Sequence, residues 1–406
     1  MIDYRYLHRK YVIESYPDRG LVFTRGKGAE LITESGEHYL DLMSNFGVSL
    51  FGYGHPALTE ALTLQIGKLA NLHGSFNNDV RARAAAALVK RCGNGLVRVH
   101  FSSSGAEAVE TAIKFAAAVT GRRRFAACRG GYHGKTLGAL SATHDSRYRR
   151  PFEPLLWEFE HGEYGRPESL TKLVDDNTAA LIVEPIQGEA GIRLPEPGFL
   201  REARRICEKH GALLILDEIQ TGAGRTGTFL AVEPEGIRPD ILCLGKGLAG
   251  GIPIGATLVT NEISSRIPRL LHTSTFGGNP LASAGILAVL ELLDNDRLEH
   301  IQAMGTAFKA GIRRLRDESI REVRGRGLML AVGIQGDPTP VLQGLQRRRI
   351  LAAPAGGSTI RFLPPYILTP RHVEIALAAL KDALAGIRRP PRTDRGENRS
   401  APCVAS

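Results

Sequence analysis

Residues 212–218 have the sequence ALLILDE, and residues 240–246 have the sequence DILCLGK. Each is a short, almost continuously apolar run that ends in polar or glycine residues, which is typical of a strand buried on both faces of a sheet. Three more runs share this pattern: VRVHF (97–101), AALIVEP (179–185) and ATLVT (256–260). Because the runs alternate with helical segments such as 57–70 and 79–92, they predict an α/β fold with a mostly parallel central sheet.

The two ends of the chain carry a different pattern. Residues 1–45 contain β-prone segments with turns such as Ser35-Gly36, which predict short antiparallel strands. After the central region we expect a long helix over about 283–317, a strand-forming stretch, and two further helices around 340–349 and 370–387. We therefore predict a small α+β domain formed by residues 1–50 and 284–387 around a large domain at 51–283.

Composition restricts the possible functions. The 406 residues include 5 Cys, which are odd in number and widely spaced, so neither a disulfide framework nor a zinc ribbon fits. We predict no metal site. No run approaches the roughly 18 consecutive apolar residues that span a bilayer, and the start MIDYRYLHRK lacks an apolar secretory core. We expect a cytoplasmic protein with no membrane partner.

The net charge of +10 could indicate a nucleic-acid partner. Residues 388–406 are rich in Pro, Arg and Ser and have little to bury, which predicts a disordered tail. The five Arg and two acidic residues of this tail contribute +3, and the remaining +7 is scattered without a basic, aromatic stripe. We therefore expect no nucleic-acid partner, and a basic nucleic-acid-binding protein stays a remote alternative.

Ligands of open α/β sheets bind beyond the carboxyl ends of the strands. At such ends the sequence places Asp217, and Lys246 between Gly245 and Gly247. In isolation Lys246 could be a solvated surface lysine. Its flanking glycines instead favour a tight strand exit, where the backbone approaches another group closely.

A turn of small residues, SSSGAE at 102–107, follows the run at 97–101 and precedes a helix. It could be an ordinary serine N-cap with Glu107 completing a capping box, or its free N–H groups could hold an anion such as phosphate. A lysine that forms a Schiff base, a carboxylate that holds a pyridinium nitrogen and a phosphate cradle together indicate a pyridoxal-phosphate site.

The chain resembles the class III aminotransferases, the ornithine, acetylornithine and ω-amino acid group of pyridoxal-phosphate enzymes with fold type I. The resemblance covers about residues 10–387. It rests on six motifs that occur in the family's order: SSGAEA (103–108), YHGKT (132–136), EPIQGE (184–189), LDEIQTG (216–222), GKG (245–247) and TFGGNP (275–280).

The resemblance implies how the cofactor pyridoxal 5'-phosphate is held. Lys246 would carry it as a Schiff base and move the substrate proton. Asp217 would pair with the pyridine nitrogen, and Gln220 would bind the phenolic oxygen. Tyr132 would stack on the ring, although outside this context it could be a buried core residue. His133 receives no role, and a structural histidine is favoured.

The resemblance also implies contacts to the phosphate. The amides of Ser104, Gly105 and Ala106 would hold it within one subunit. A threonine matching Thr275 would reach it from the other subunit, so the resemblance implies a homodimer.

Substrate-binding residues are implied in the same way. Arg361 resembles the arginine that binds the α-carboxylate of 2-oxoglutarate or glutamate, and Glu189 resembles the glutamate that pairs with it when the amine donor is bound. Lys135 stands where ornithine-type and acetylornithine-type members usually have arginine, so weaker selection for an α-carboxylate is expected. Tyr16 and Phe46 match positions at the substrate entrance, or they simply pack the N-terminal region.

The donor is left between two classes. The stretch HGKTLGALSAT (133–143) is more similar to the putrescine-type branch, whose donor is a diamine. We expect an aminotransferase that moves a terminal amino group from a diamine or an ornithine- or acetylornithine-like donor to 2-oxoglutarate by a ping-pong mechanism, giving an aldehyde and glutamate. A pyridoxal-phosphate-dependent aminomutase or decarboxylase is the alternative, because the cofactor cage alone does not set the reaction type.

Overall fold

The structure is a computed structural model, and it describes residues 2–388. Of the predicted disordered tail, Arg388 ends the last helix, and the other residues lie outside the described part of the chain.

Strands and helices alternate through most of the chain. The strands are β1 (Phe23–Lys27), β2 (Glu30–Thr33), β3 (His38–Asp41), β4 (Leu96–Ser102), β5 (Arg124–Cys128), β6 (Glu158–Gly162), β7 (Thr178–Val183), β8 (Leu213–Asp217), β9 (Ile241–Leu244), β10 (Gly255–Thr260), β11 (Ile320–Arg326), β12 (Met329–Ile334), β13 (Ile350–Leu351), β14 (Ala353–Ala355) and β15 (Thr359–Phe362). The helices are α1 (Tyr4–Tyr11), α2 (Ser44–Gly47), α3 (Pro56–Lys68), α4 (Asp79–Cys92), α5 (Gly105–Thr120), α6 (Leu137–Ala142), α7 (Ser146–Arg149), α8 (Phe199–His210), α9 (Asn261–Arg266), α10 (Pro280–Leu292), α11 (Asn295–Arg314), α12 (Thr339–Arg347) and α13 (Pro370–Arg388). Within residues 2–388 no helix combines the length and apolarity that crossing a membrane requires.

The central sheet has seven strands in the order β4-β10-β9-β8-β7-β5-β6. Only β10 runs opposite to the others, since it pairs antiparallel with both β4 and β9 while the remaining pairs are parallel. The predicted mostly parallel sheet is confirmed, and the five predicted runs each contain a strand. Strands β5 and β6 were not predicted. For β6 (EFEHG) the reason is that it is a partly exposed strand at one end of the sheet and has no apolar run.

Both faces of the sheet are covered by helices. Ile215 on β8 belongs to a core cluster with residues of α5, whereas its neighbours Leu214 and Leu216 belong to the cluster that contains residues of α8. Successive strand residues point to opposite faces, so two-sided burial requires the continuous apolar run seen in the sequence. The expectation of two-sided burial is wrong for residues 97–101, because β4 lies at the edge of the sheet and Val97 is 43% exposed.

The two ends of the chain meet in one small sheet. Strands β1, β2 and β3 are antiparallel, as predicted, and β13 from the C-terminal part pairs in parallel with β3. A third sheet has the order β11-β12-β15-β14 and carries Arg361 on β15. The exposed helix α1 was not predicted.

The predicted long helix over 283–317 is two helices, α10 and α11. The break falls at Leu293 and Asp294, where the Asp294 side chain accepts a hydrogen bond from the Arg297 N–H and caps α11. Helix α10 runs across the predicted domain boundary between residues 283 and 284 and packs on α3 and α4. The domain bounds stay a proposal. For the boundary between the large domain and the C-terminal part of the small domain, the start of α11 fits the structure better than residue 284.

Candidate functional site

A cavity of about 480 Å³ lies at the carboxyl ends of the central strands. Its size is within the range of small-molecule sites. It is lined by Gly105, Ala106, Tyr132, His133, Gly134, Lys135, Thr136, Glu184, Glu189, Asp217, Ile219, Gln220 and Lys246. Most of the site residues predicted from the sequence therefore come together in one place.

Lys246 enters the cavity from the tight turn that follows β9. Its φ of 48° lies in the left-handed region, which costs a non-glycine residue about 1–2 kcal/mol. A Cβ on the neighbouring Gly247 would lie 2.2 Å from the Leu50 Cγ, so the flanking glycine permits a close approach, as expected. Burial lowers the pKa of Lys246 and so favours the neutral amine, although Asp217 and Glu189 act in the opposite direction. The alternative of a solvated surface lysine is wrong.

Asp217 ends β8 and is 4% exposed. Its Oδ2 lies 2.7 Å from the Nδ1 of His133, and its Oδ1 accepts a hydrogen bond from the Ile219 N–H at 3.1 Å. Burial lowers the pKa of His133, but the hydrogen bond to Asp217 and the charge of that carboxylate outweigh it, so the pKa is raised overall.

His133 is buried, as expected of a structural histidine, but it does not lie apart from the site. It lines the cavity and holds Asp217, and its Nε2 has no hydrogen-bond partner among residues 2–388. The expectation of a purely structural, satisfied histidine is therefore wrong. Sequence reasoning missed this contact because the two residues are 84 positions apart.

The start of α5 forms one wall of the cavity. The Ser104 Oγ accepts a hydrogen bond from the Glu107 N–H at 3.2 Å, and the Glu107 carboxylate accepts one from the Ser103 N–H at 2.5 Å, so the capping interaction is present. The N–H groups of Gly105 and Ala106 have no acceptor within the helix, because the first turn of any helix lacks one. The positive end of the helix dipole adds to the attraction for an anion. The capping interpretation is confirmed, and the capped turn leaves N–H groups that could hold an anion, so the phosphate cradle stays a prediction.

Tyr132 and Lys135 lie on the loop after β5. Burial and then the charge of Glu189 raise the pKa of Tyr132 to about 12, so the phenol stays protonated. The Tyr132 ring contacts Tyr148 edge-on, with 6.3 Å between centroids. Lys135 is exposed at the rim, and its Nζ lies 4.2 Å from the centroid of the Tyr148 ring, which is a cation–π distance.

Gln220 has a buried amide oxygen that lacks a hydrogen-bond partner in the described chain. Buried polar atoms almost always have a partner, so an orphaned one in a cavity wall indicates that a bound molecule supplies it.

Arg361 and Glu189 form an ion pair at one side of the cavity. Arg361 is fully buried, and its Nη1 donates to the Glu189 Oε1 at 2.7 Å and to the Gly188 carbonyl oxygen at 3.2 Å. The guanidinium also lies 5.1 Å from the centroid of the Phe46 ring. Its Nε and Nη2 have no partner in residues 2–388. A buried charge with unused donors is a strong site for a carboxylate.

Five predicted residues do not line the cavity: Ser104 and Arg361, described above, and Phe46, Tyr16 and Thr275. Phe46 belongs to the left-handed turn α2 and covers Arg361. Tyr16 is 83% exposed and borders a separate N-terminal cavity, but it is close enough to contribute to the raised pKa of Tyr132. Thr275 is exposed in the segment between α9 and α10.

Four further cavity residues were not predicted as site residues from the sequence: Gly134, Thr136, Glu184 and Ile219. Glu184 follows the buried strand β7, and Ile219 follows Asp217 by two positions. Both stand in motifs at strand exits, so position alone could have indicated Glu184. Its two hydrogen bonds to backbone N–H groups could not have been predicted, because they depend on loops that meet only in the fold.

The fold and the site described above are those of the pyridoxal-phosphate enzymes of fold type I. The chain belongs to the class III aminotransferase family, since the family model "Aminotransferase class-III" matches residues 13–384. It therefore uses pyridoxal phosphate as its cofactor. The residues present fit this cofactor, because the unpartnered Gln220 oxygen, the free N–H groups of Gly105 and Ala106 and the buried Lys246 surround one cavity.

Known relatives cover nearly the whole chain. The acetylornithine aminotransferase of Methanopyrus kandleri is 42% identical over 94% of this chain and 99% of its own. A [LysW]-aminoadipate semialdehyde/glutamate semialdehyde transaminase of Sulfurisphaera tokodaii is 38% identical over 92% of this chain and 97% of its own. The solved ornithine aminotransferase of Toxoplasma gondii ME49 has a TM-score of 0.91 at 33% identity, with 95% of each chain covered.

Proposed function

We propose that the enzyme moves a terminal amino group from a diamine or an ornithine- or acetylornithine-like donor to 2-oxoglutarate, in two half-reactions of a ping-pong cycle. The donor becomes an aldehyde and 2-oxoglutarate becomes glutamate, so no further reactant is needed. The ion pair between the buried Arg361 and the partly exposed Glu189, beside the cavity of Lys246, carries this proposal, because it provides a carboxylate site that can be opened or closed.

Pyridoxal phosphate supplies an aldehyde that takes up the amino group and an electron-withdrawing ring that makes the substrate Cα–H acidic. Lys246 Nζ would bind that aldehyde and, once the substrate amine has displaced it, would move the proton from the amine-bearing substrate carbon to the former aldehyde carbon. Asp217, held by His133, would keep a proton on the ring nitrogen. The amides of Ser104, Gly105 and Ala106 would bind the phosphate, Tyr132 would stack on the ring and Gln220 would bind its phenolic oxygen.

Arg361 and Glu189 would let one cavity take two substrates. While the donor amine is bound, Glu189 neutralises Arg361 as in the structure. When 2-oxoglutarate arrives, Glu189 would move aside and a carboxylate of the keto acid would take its place on the guanidinium. Because Glu189 is 37% exposed and Arg361 fully buried, the glutamate is the partner that is free to move.

The donor end of the site is set by the rim. Lys135 presents a single ammonium group there, which attracts a carboxylate without the two-pronged geometry of arginine. Tyr16 would hydrogen-bond the distal part of the donor. The names of relatives that act on acetylornithine and aminoadipate semialdehyde support a donor with an ornithine-like carbon chain.

A homodimer with Thr275 contributed across the interface completes the proposal. The segment that carries Thr275 also exposes Leu270 (87%) and Phe276 (57%), and clustered apolar side chains on a surface favour contact with another chain. Sedimentation analysis tests the dimer. A Thr275→Ala variant co-expressed with a Lys246→Ala variant tests the shared site, because one of the two sites in the mixed dimer would carry both defects and the other none.

A donor panel tests the substrate. Putrescine, cadaverine, ornithine, N-acetylornithine, lysine and 4-aminobutyrate are each offered to the holoenzyme with 2-oxoglutarate, and glutamate formation is measured. Pyruvate replaces 2-oxoglutarate as the matched acceptor with one carboxylate. We expect activity with at least one terminal amine, and Arg361→Met should lower kcat/KM for both 2-oxoglutarate and pyruvate, because both present an α-carboxylate to the guanidinium. Absence of glutamate formation with every donor would contradict the proposal.

A further inference from the structure

Glu184 is a buried carboxylate in the cavity wall to which the proposed mechanism gives no role. Only 6% of the residue is exposed. Its Oε1 accepts a hydrogen bond from the Tyr132 N–H at 3.0 Å, and its Oε2 accepts one from the Gly188 N–H at 3.1 Å. One side chain therefore holds two separate loops, and both loops line the cavity.

Gly188 connects this carboxylate to the proposed carboxylate site. Its N–H is donated to Glu184, while its carbonyl oxygen accepts a hydrogen bond from the Arg361 Nη1 at 3.2 Å. A Cβ at this position would lie 2.0 Å from the Gln220 Oε1, so the glycine allows the Gln220 side chain to approach the backbone closely. The backbone of Gly188 thus lies between a buried carboxyl group and a buried cation.

The two acceptors on Arg361 differ in mobility. Glu189 is a partly exposed side chain that would leave the guanidinium when the keto acid binds. The Gly188 carbonyl is part of the backbone, and it would then be the hydrogen-bond acceptor that stays on Nη1. Its position depends on the hydrogen bond that the same residue donates to Glu184.

We propose that Glu184 is a positioning residue for the keto-acid half-reaction, because by holding the Gly188 N–H it keeps the Gly188 carbonyl on Arg361 while Glu189 is displaced. The inference rests on the proposed role of Arg361. It assigns Glu184 an effect that differs between the two half-reactions, whereas a merely structural carboxylate would affect both alike.

The test is Glu184→Gln, which leaves only one oxygen to accept from two N–H groups. The control is Glu218→Gln. Glu218 is equally buried and accepts hydrogen bonds from the Ala231 and Val232 N–H groups at 2.9 and 3.0 Å, but it does not line the cavity. Each half-reaction is followed separately in the holoenzyme by the absorbance of the cofactor.

We expect Glu184→Gln to lower kcat/KM for 2-oxoglutarate roughly tenfold, as loss of one hydrogen bond to a charged group implies, and to change kcat/KM for the donor less than about threefold. Glu218→Gln should leave the ratio of the two values unchanged. An equal loss in both half-reactions of Glu184→Gln, or the same asymmetry in the control, would overturn the inference.

A second variant covers the case in which Glu184→Gln does not fold. Glu184→Asp keeps the charge but is one methylene shorter and cannot span both loops, so the same asymmetry is expected and a symmetric loss would overturn the inference. If Arg361→Met leaves kcat/KM for 2-oxoglutarate unchanged, the proposed function and this inference both fail. If Arg361→Met lowers that value and Glu184→Gln acts symmetrically, only this inference fails.

Discussion

Replacing Glu189 by glutamine should strengthen the binding of 2-oxoglutarate, because the carboxylate of the ligand would no longer compete with a carboxylate of the protein. Glu189→Gln keeps the shape of the side chain and an oxygen that can still accept from Arg361 at the observed 2.7 Å. It removes only the charge. The fully buried Arg361 then keeps an uncompensated charge that a ligand carboxylate can neutralise.

The magnitude follows from the environment of the pair. A hydrogen bond to a charged group contributes about 1.5–3 kcal/mol, and the 37% exposure of Glu189 places its contribution at the lower end. A loss of about 1–1.5 kcal/mol in the competing pair corresponds to roughly a five- to tenfold gain in affinity for the keto acid. The same loss should appear as a comparable decrease in the free energy of unfolding, since the buried cation loses its partner.

The assay measures kcat/KM for 2-oxoglutarate in the isolated second half-reaction, together with unfolding in urea. Glu163→Gln is the control, because Glu163 pairs with Arg166 at 3.5 Å on the surface, where both side chains are more than half exposed. It should change neither quantity. If kcat/KM for 2-oxoglutarate in Glu189→Gln stayed equal to wild type, Glu189 would not compete with the substrate and the switch would be refuted.

Four further outcomes are expected. Lys246→Ala should abolish the absorbance shift of the bound cofactor on adding an amine, and wild-type turnover in this variant would contradict the role of Lys246. His133→Leu removes the hydrogen bond to Asp217 and should lower kcat about tenfold or more. His133→Asn can still donate a hydrogen bond to the Asp217 carboxylate and should lower kcat less. Equal decreases in kcat would contradict a functional role for this hydrogen bond. Gly247→Ala should lower the free energy of unfolding in urea by about 1–3 kcal/mol, because its Cβ would clash with Leu50. The control Gly67→Ala has open space around the new Cβ and should not lower it. Burial raises the pKa of Glu218 to about 7 from 4.5, so between these pH values the folded protein keeps a proton that the unfolded chain has lost. The free energy of unfolding should therefore fall as pH rises from 4.5 to 7, and in Glu218→Gln that fall should be smaller by about 1–3 kcal/mol. An unchanged pH dependence in this variant would contradict the raised pKa of the buried carboxyl.

The strands of the central sheet could be predicted to different degrees, for physical reasons. Segments such as 212–218 were recognisable because burial on both faces demands an apolar side chain at every position. Strand β6 (EFEHG) escaped because a partly exposed strand at the end of a sheet has no such demand. The reversed direction of β10 also has no local signal, since an apolar run is the same in either direction.

The residues of the site also differ in how far the sequence could predict them. Asp217, Lys246 and the capping residues around Ser104 could be predicted because each stands directly after a strand or at a helix start, and such positions are set by neighbours in the chain. The contact of His133 with Asp217 could not be predicted, because it joins residues 84 positions apart.

The sequence by itself determined which segments are buried and which chemical groups stand at their ends, because solvation and helix capping act over a few neighbouring residues. Only the tertiary structure decided strand direction and the pairing of those groups. The path from Glu184 through Gly188 to Arg361 joins residues up to 177 positions apart, since 361 minus 184 is 177. Such contacts follow from where strand exits and loops meet when the whole sheet is assembled, and no local pattern of residues encodes that meeting.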